Sequence, residues 1–347
     1  MTFDTLRSVE RNEPQYAQDL YEGLTARFSP VADQTEISVT GGGVQWRCSA
    51  QRLRRSCWVG CFEVGGPEFL TFFEESGRKV ATGRTSSREE TVDAIWHWLD
   101  DVPLEDIYAR FSFVDREKRR LISIRECVLR NHPALAAAAR HVLTVTGSGV
   151  SHLWFHTDTR SAHLHFTGRH DSPDAAFLWD QCELFQFNAA DCAALGTVLA
   201  RWLAGNAPPS ALRAEFPWLH IGALADYYEN GKPVEGEFLE SWNQMEAVYE
   251  GSRFPPRTLV LPFIAELRRA GYDRKLRAGQ SIWSLIVSRS RRPRLRPDQP
   301  LVSFQFRENS MEVFSSNHGE ERISDHPIEM SDTVARILAR LVEQPID

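Results

Sequence analysis

The chain reads as an α+β protein built from antiparallel β-meander-plus-helix modules, three divergent copies of them, joined by helical connecting segments. Three observations carry that reading. β-rich runs come in groups rather than alternating singly with helices; amphipathic helical stripes follow two of these groups; and part of the chain can be laid over another part without a gap. Residues 69 to 99 and 311 to 341 superpose at an offset of 242, with identities at Phe72 and Phe314, Gly77 and Gly319, Thr91 and Thr333, Val92 and Val334, Ile95 and Ile337, and Leu99 and Leu341. Six identities in 31 positions suggest a repeat, although amphipathic helices resemble one another through physics alone. A third copy ends where Leu199, Trp202 and Leu203 take the places of Ile95, Trp98 and Leu99.

Taken in order, residues 1 to 35 form a helical lead-in, helix-prone around Tyr16 to Arg27 and stopped by Pro30. Residues 36 to 140 are the first meander and helix with a helical extension. Its strands are expected at Ile37 to Val39, Val44 to Cys48, Cys57 to Val64 and Phe69 to Phe73, divided by Gly41 to Gly43 and Gly65-Gly66-Pro67. A polar stretch at Thr85 to Ser87 then caps a helix with acidic first-turn residues Glu89 and Glu90 and the stripe Val92, Ile95, Trp96 and Leu99. Residues 141 to 207 hold a histidine-rich hairpin and helix, 208 to 270 a helical acidic connector, and 271 to 347 the last meander and helix with an arginine-rich segment. Pro103 to Arg140 and Pro208 to Arg269 read as mainly helical from their apolar spacing.

With 347 residues, 42% hydrophobic and 25% charged, the chain can bury a sizeable core in more than one unit. Its apolar runs fall short of the ~18 residues that cross a bilayer, and its first thirty residues lack the basic and apolar regions of a secretion signal. Six cysteines without such a signal fit free thiols in a reducing compartment, hence a cytoplasmic protein. The formal charge of -7 excludes a body coated in positive charge, though not a local basic patch.

Two constellations stand out. His152, His156, His163, His165 and His170 fall within nineteen residues. Leu153, Phe155, Leu164 and Phe166 alternate with the polar and aromatic set, so the histidines share one strand face with Trp154. A turn centred on Thr159-Arg160 sets His156 opposite His163, Trp154 opposite His165 and His152 opposite Thr167. Two imidazoles at i and i+2 with another across the ladder suit a three-nitrogen zinc site with an open position, so His152, His156, His163 and His165 are candidate ligands for a metal-dependent hydrolase. The blander account is the wet face of a half-buried hairpin. His170-Asp171 reads as a loop dipeptide.

The second is Arg268 to Arg296, ten cations against the single acid Asp273. Nine of the ten are arginine, whose planar fork matches phosphate and carboxylate. Arg274, Lys275, Arg277, Arg289, Arg291, Arg292, Arg294 and Arg296 are therefore candidates for holding a partner or a phosphate, nucleic acid included, with Arg47, Arg52, Arg54 and Arg55 able to extend the patch. Between them Ser281 to Val287 reads as an apolar strand. The competing account is internal neutralisation, because Asp226 to Glu250 carries seven acids against Lys232.

Gly147-Ser148-Gly149 and Gly41 to Gly43 lack the lysine and strand-to-helix setting of a phosphate loop. Cys57 and Cys61 share a face with Val59 as small core residues. Trp96, Trp98, Trp202 and Trp283 are packing residues, which leaves Trp46, Trp58 and Trp154 for stacking. The preferred function is a non-catalytic binding or regulatory protein that needs no cofactor and presents a charged surface to a macromolecular partner, protein before nucleic acid and not a membrane, in a setting such as bacterial conflict or defence. The zinc hydrolase and the arginine-mediated nucleic-acid or phosphate binder are the alternatives.

Overall fold

The computed structural model describes residues 3–42, 45–62, 68–146, 150–167, 172–252, 257–282, 284–292, 299–316 and 321–346. Three five-stranded antiparallel sheets run in chain order, each strand beside the next. The first comprises β1 (Glu36–Gly42), β2 (Gln45–Arg52), β3 (Arg55–Phe62), β4 (Glu68–Glu75) and β5 (Arg78–Thr85), preceded by α1 (Phe3–Phe28) and followed by α2 (Arg88–Leu99). After α3 (Leu104–Arg110), α4 (Arg116–Asn131) and α5 (Pro133–Ala138) comes the second: β6 (Arg140–Val145), β7 (Ser151–His156), β8 (Arg160–His165), β9 (Asp174–Trp179) and β10 (Cys182–Asn188), closed by α6 (Cys192–Leu199) and a π-turn over Ala200–Ala204. α7 (Pro209–Glu215), α8 (Ala223–Glu229), α9 (Pro233–Gly251) and α10 (Arg257–Arg269) lead to the third: β11 (Arg277–Ser281), β12 (Ser284–Ser288), β13 (Leu301–Phe306), β14 (Met311–Ser315) and β15 (Glu321–His326), with α11 (Asp332–Val342) behind it. The three sheet modules expected from the sequence are present.

The chain divides into two compact units, Met1–Ala175 with Asn188–Ala204, and Ala176–Phe187 with Gly205–Asp347. In the first module the helices bury stripes at helical spacing: Leu20, Leu24 and Phe28 on α1, Val92, Ile95, Trp98 and Leu99 on α2. They meet the alternate strand residues Cys48, Ala50, Cys57, Val59, Phe69, Phe73 and Ala81. α2 starts where its sequence promises, with the Ser87 side chain accepting from the Glu90 amide. In the third module Val260, Phe263, Ile264 and Leu267 of α10 and Val334, Ile337, Leu338 and Leu341 of α11 pack on Leu285, Val287, Val302, Phe304 and Val313. Ile95 and Leu99 thus correspond to Ile337 and Leu341, as the 242-residue offset requires, and all four are buried. Gly319, the partner of Gly77 in that overlay, lies outside the described residues.

Two elements depart from the sequence reading. The polar run Arg78–Thr85 is a full fifth strand, paired along β4. Its entry, Ser76-Gly77, has φ of 51° and 75°, the left-handed pair of a tight hairpin turn. Ser281 to Val287 is not one strand but a hairpin, with Ser281 opposite Ser284 and Ile282 in its turn at φ 51° and 78% exposed.

The first two modules share a buried clasp. Arg55, at the start of β3, lays its guanidinium carbon 3.9 Å from the centre of the Trp98 ring and donates from Nη1 to the Trp98 carbonyl at 2.9 Å. Trp98 Nε1 donates back to the carbonyl of Ser56 at 3.1 Å. Arg160, at the start of β8, does the same with Trp202: 4.1 Å to the ring and 3.2 Å to its carbonyl, while Trp202 Nε1 donates to Ser161 O at 3.2 Å. All four side chains are buried. The third module has Arg340 at the position of Trp98, at the surface beside Glu321, and is tied instead by Trp242 Nε1 donating to Leu276 O at 2.8 Å.

Trp98→Ala and Trp202→Ala are expected to cost ~3 to 5 kcal/mol each, and Leu99→Ala and Leu341→Ala ~2 to 5 kcal/mol, in denaturant melts. Arg55→Lys and Arg160→Lys should recover only part of the clasp, since an ammonium cannot lie flat on an indole while donating to the carbonyl behind it.

Candidate functional site: the ring stack and the arginine network

The second sheet turns Leu153, Phe155, Ala162 and Leu164 into the core, all fully buried, and leaves His152, Trp154, His156, Ser161, His163 and His165 half-buried on the other face. The division of faces is the one alternation dictates; the register is not the expected one. His152 faces His165, Trp154 faces His163 and His156 faces Ser161. The turn therefore sits at Asp158-Thr159, closed by the Thr157 amide donating to Arg160 O at 2.8 Å and the Arg160 amide donating to Thr157 Oγ1 at 3.1 Å. Arg160 cannot occupy the turn because the Trp202 clasp holds it in β8. The two-residue slip preserves both faces and changes every partner.

The consequence is a stack. Trp154 lies on His163 at 4.1 Å and 14°, His163 on His165 at 4.7 Å and 6°, and His152 beside His163 at 4.9 Å and 22°. Near-parallel rings aim their nitrogen lone pairs along parallel planes, whereas a tetrahedral cation needs them to converge on one point. His156 stands at the turn end, opposite a serine. Among the described residues no group of three or more His, Cys, Asp or Glu is placed to hold a metal ion. The zinc arrangement expected for His152, His156, His163 and His165 is thus not formed. His170 lies outside the described residues.

His152 Nδ1 and His163 Nε2 are 2.7 Å apart. One must donate and the other accept, so the two rings cannot both be protonated on these edges. Burial, then the neighbouring His165 and His152, push His163 down to about 4, and burial with His165 lowers His152 as well. Both shifts favour the neutral form of His163 and His152 at pH 7.

A comparable ladder crosses the first sheet on the face away from its helices. Trp58 stacks on Phe72 at 3.8 Å and 12°, the Arg47 guanidinium lies 4.6 Å from the Trp58 ring, and Trp58 Nε1 donates to Glu74 at 3.2 Å. The sequence pointed to Trp58 and Trp154 as stacking residues; nothing in it marked Phe72 or His163 as their partners. Cys57 is a small core residue whose thiol burial pushes up, and burial likewise pushes Cys48 up to about 12. Cys61 lies among residues whose side chains are not described.

In the second unit the basic segment is largely committed. Arg291 grips Glu237 with Nε at 3.0 and 3.2 Å and Nη2 at 2.9 Å, and reaches Asp180 with Nη1 at 2.6 Å. Arg292 lies 3.4 Å from Glu237 and donates to the Asp180 carbonyl. Tyr228 donates its hydroxyl to Glu237. The Glu237 side chain is 3% exposed, so this is a buried carboxylate enclosed by two guanidiniums and a phenol. Burial works against the Arg291 charge, but its bonds with Glu237 and Tyr228 outweigh that and hold its pKa above the ordinary value. Tyr228 is raised by burial and by the bond to Glu237. Arg274 pairs with Glu235 at 3.1 Å, Arg277 donates to the Arg291 carbonyl at 3.4 Å, and Arg289 donates to Gln344 O at 2.8 Å and Lys275 O at 3.0 Å. Arg274 and Lys275 are exposed. Arg294 and Arg296 lie outside the described residues, as does Trp283. Of the proposed extension, Arg52 pairs with Asp100 at 3.0 Å and Arg54 with Glu75 at 3.3 Å, while Arg55 is taken by the clasp.

No helix among the described residues is long and apolar enough to cross a membrane. No protein-family model, no curated protein and no solved structure matches this chain.

Because the fold depresses the pKa of His163, stability is complete above the unfolded value of ~6.5 and declines as pH falls toward about 4, where the folded stack also takes up its proton. Melting temperature should fall between pH 7 and pH 4, and His163→Phe, which keeps a flat ring without a titrating nitrogen, should flatten that fall. Arg291→Ala should cost ~3 to 5 kcal/mol, because it takes the main partner from the buried Glu237 carboxylate; an equal loss on Glu237→Ala, with no further loss in the double variant, would mark the pair as one unit in a double-mutant cycle.

Proposed function

We propose that the protein is a non-catalytic binding or regulatory protein that presents its sheet modules to a macromolecular partner, protein rather than nucleic acid. The observation that carries this reading is the commitment of Arg291 and Arg292 to Glu237 and of Arg274 to Glu235. Guanidiniums already neutralised by buried or adjacent carboxylates offer little free charge to phosphates, and exchanging Glu237 for a phosphate would leave a buried anion unpaired. The half-buried rings Trp58, Trp154 and His163 support the same reading. They are flat groups already locked by stacking, and rigid aromatic groups of this kind are well suited to protein contact because little conformational entropy is lost on docking.

The test is complex formation by the full chain in extract of its own source. A stoichiometric protein complex that survives nuclease and co-elutes on size-exclusion chromatography is the expected outcome. A complex that disappears with nuclease, or affinity for duplex DNA that falls steeply with salt, would replace this reading with nucleic-acid binding.

A further inference from the structure

The β6 edge of the second sheet is open where the edges at β5 and β11 are partly closed. β6 is the last strand in its order, paired with β7 alone over six unbroken positions. Its residues are open on both faces: Val142 is 43% and Val145 40% exposed, Arg140, His141 and Thr144 are exposed, and Leu143 is half-buried. The edge of β5 is closed locally, with Gly83 bridged to Val114 and the Thr82 carbonyl accepting from the Asp115 amide. On β11 the Ala278 amide is taken by Ser241 Oγ at 2.9 Å. From Val142 to Val145 β6 carries neither lysine, proline nor bulge, the usual protections of an edge strand.

Which backbone groups face outward follows from the ladder. The Thr146 amide donates to Val150 O at 2.9 Å, which turns the Thr146 N–H toward β7. Alternation then turns Thr144, Val142 and Arg140 toward β7 and leaves the N–H and C=O of His141, Leu143 and Val145 pointing away from the sheet. Three donor and acceptor pairs at strand spacing form a template for one more strand.

The helix beside this edge supplies the charge. α4 buries Leu121 and Val128 and turns one flank to α6, where Cys192 Sγ meets the Ile124 carbonyl. Helical geometry puts Ile122, Arg125 and Leu129 on the opposite flank, all half-buried, on the side of β6. α4 holds six cations against Glu117 and Glu126 in a chain whose net charge is -7. Lys118 is paired with Asp115, Arg119 with the carbonyls of Tyr108 and Ser112, and Arg120 lies over Phe166, and Arg125 is the cation on the β6 flank. Arg140 stands at one end of the edge, and at the other Lys79 Nζ reaches the Thr146 carbonyl at 2.8 Å.

Resting on the binding reading above, we propose that β6 and the adjoining flank of α4 form a docking groove for an extended acidic segment of a partner protein, which adds as a sixth strand. Backbone bonds to His141, Leu143 and Val145 would hold it, alternate apolar side chains would cover Leu143 and Ile122, and its carboxylates would meet Arg125 and Arg140.

The test uses the full chain and fluorescein-labelled nine-residue peptides alternating valine with glutamate, valine with lysine, or valine with serine, read by anisotropy. The valine–glutamate peptide should bind at least about tenfold tighter than the valine–lysine peptide and weaken as salt rises. Amide exchange at His141, Leu143 and Val145 should slow on binding, while Val142 and Thr144 change little. Leu143→Pro removes an outward N–H without touching the β7 ladder and should abolish binding; Arg125→Glu should weaken it at least about fivefold. A peptide N-methylated at every valine should fail on the unaltered protein, which keeps the test independent of how Leu143→Pro folds.

Binding indifferent to peptide charge, or to N-methylation, or absent for all three peptides, overturns the proposal. So does a homodimer abolished by Leu143→Pro, which would make a second copy the occupant. A nuclease-resistant partner complex that forms equally with the wild type and Leu143→Pro would remove the groove and leave the binding reading intact. Peptide binding without any such complex would remove that reading alone.

Discussion

A buried guanidinium lying flat on a buried indole sets the geometry of the first two modules. Removing a charge from water is expensive, and the carboxylates that pair with Arg55, Glu75 and Asp101, are not themselves buried. What also receives the two guanidiniums is a π-face and carbonyl oxygens at or just beyond the helix end, Trp98 O and Val102 O for Arg55 and Trp202 O for Arg160. The C-terminal end of a helix favours a cation. One contact therefore serves both the desolvated charge and the helix end. It also fixes the first residue of β3 and β8. In the second module that choice sets the hairpin register, and the register decides that Trp154 rests on His163 and that His152 faces His165.

Much of the fold was legible because helices write their burial at a period strands do not share. Val92, Ile95 and Leu99, and Val334, Ile337 and Leu341, announced their stripes, and Trp202 announced its correspondence to Trp98. β5 was hidden because its two faces carry Ala81, Gly83, Thr82 and Arg84, small or polar residues that pass for loop, although Ser76-Gly77 was a usable turn signal. The histidine face was read correctly and its register was not. Two-residue turns at Asp158-Thr159 and Thr159-Arg160 look alike locally, and the deciding contact, Arg160 with Trp202, lies 42 residues along the chain. A buried arginine is the exception to expectation, so nothing local reserved Arg160 for the core.

The arginine segment shows the same limit. Its excess charge was plain, and so was the acidic run before it. Which of the two would claim Arg291 depended on Glu237 sitting on the buried side of α9, next to Phe238 and Ser241. Charge counted along a sequence measures what must be neutralised, not where. In the first unit Arg55 and Arg160 rest on aromatic faces and carbonyls, whereas in the second Arg291 and Arg292 close on the buried Glu237 carboxylate. Arg340 is instructive here, because the substitution of an arginine for the tryptophan position turns a core residue into a surface partner of Glu321.

The spacing inside the clasped modules works as a ruler. Trp98 lies 22 residues beyond Ser76, and Trp202 22 residues beyond Asp180, the residues that open the last hairpin of each meander. Between the clasp arginine and that hairpin the count is not conserved: Arg55 precedes Ser76 by 21 residues and Arg160 precedes Asp180 by 20. The one-residue difference thus falls between the clasp arginine and the last hairpin, in the stretch that holds the third and fourth strands. A change of length between strands carries a small entropic cost. The same change inside the following helix would rotate the indole by about 100° away from its arginine. Descendants of a duplicated module of this kind can thus vary in length on one side of the last hairpin and hardly at all on the other, which makes the invariant interval, rather than residue identity, the trace by which further copies are to be sought.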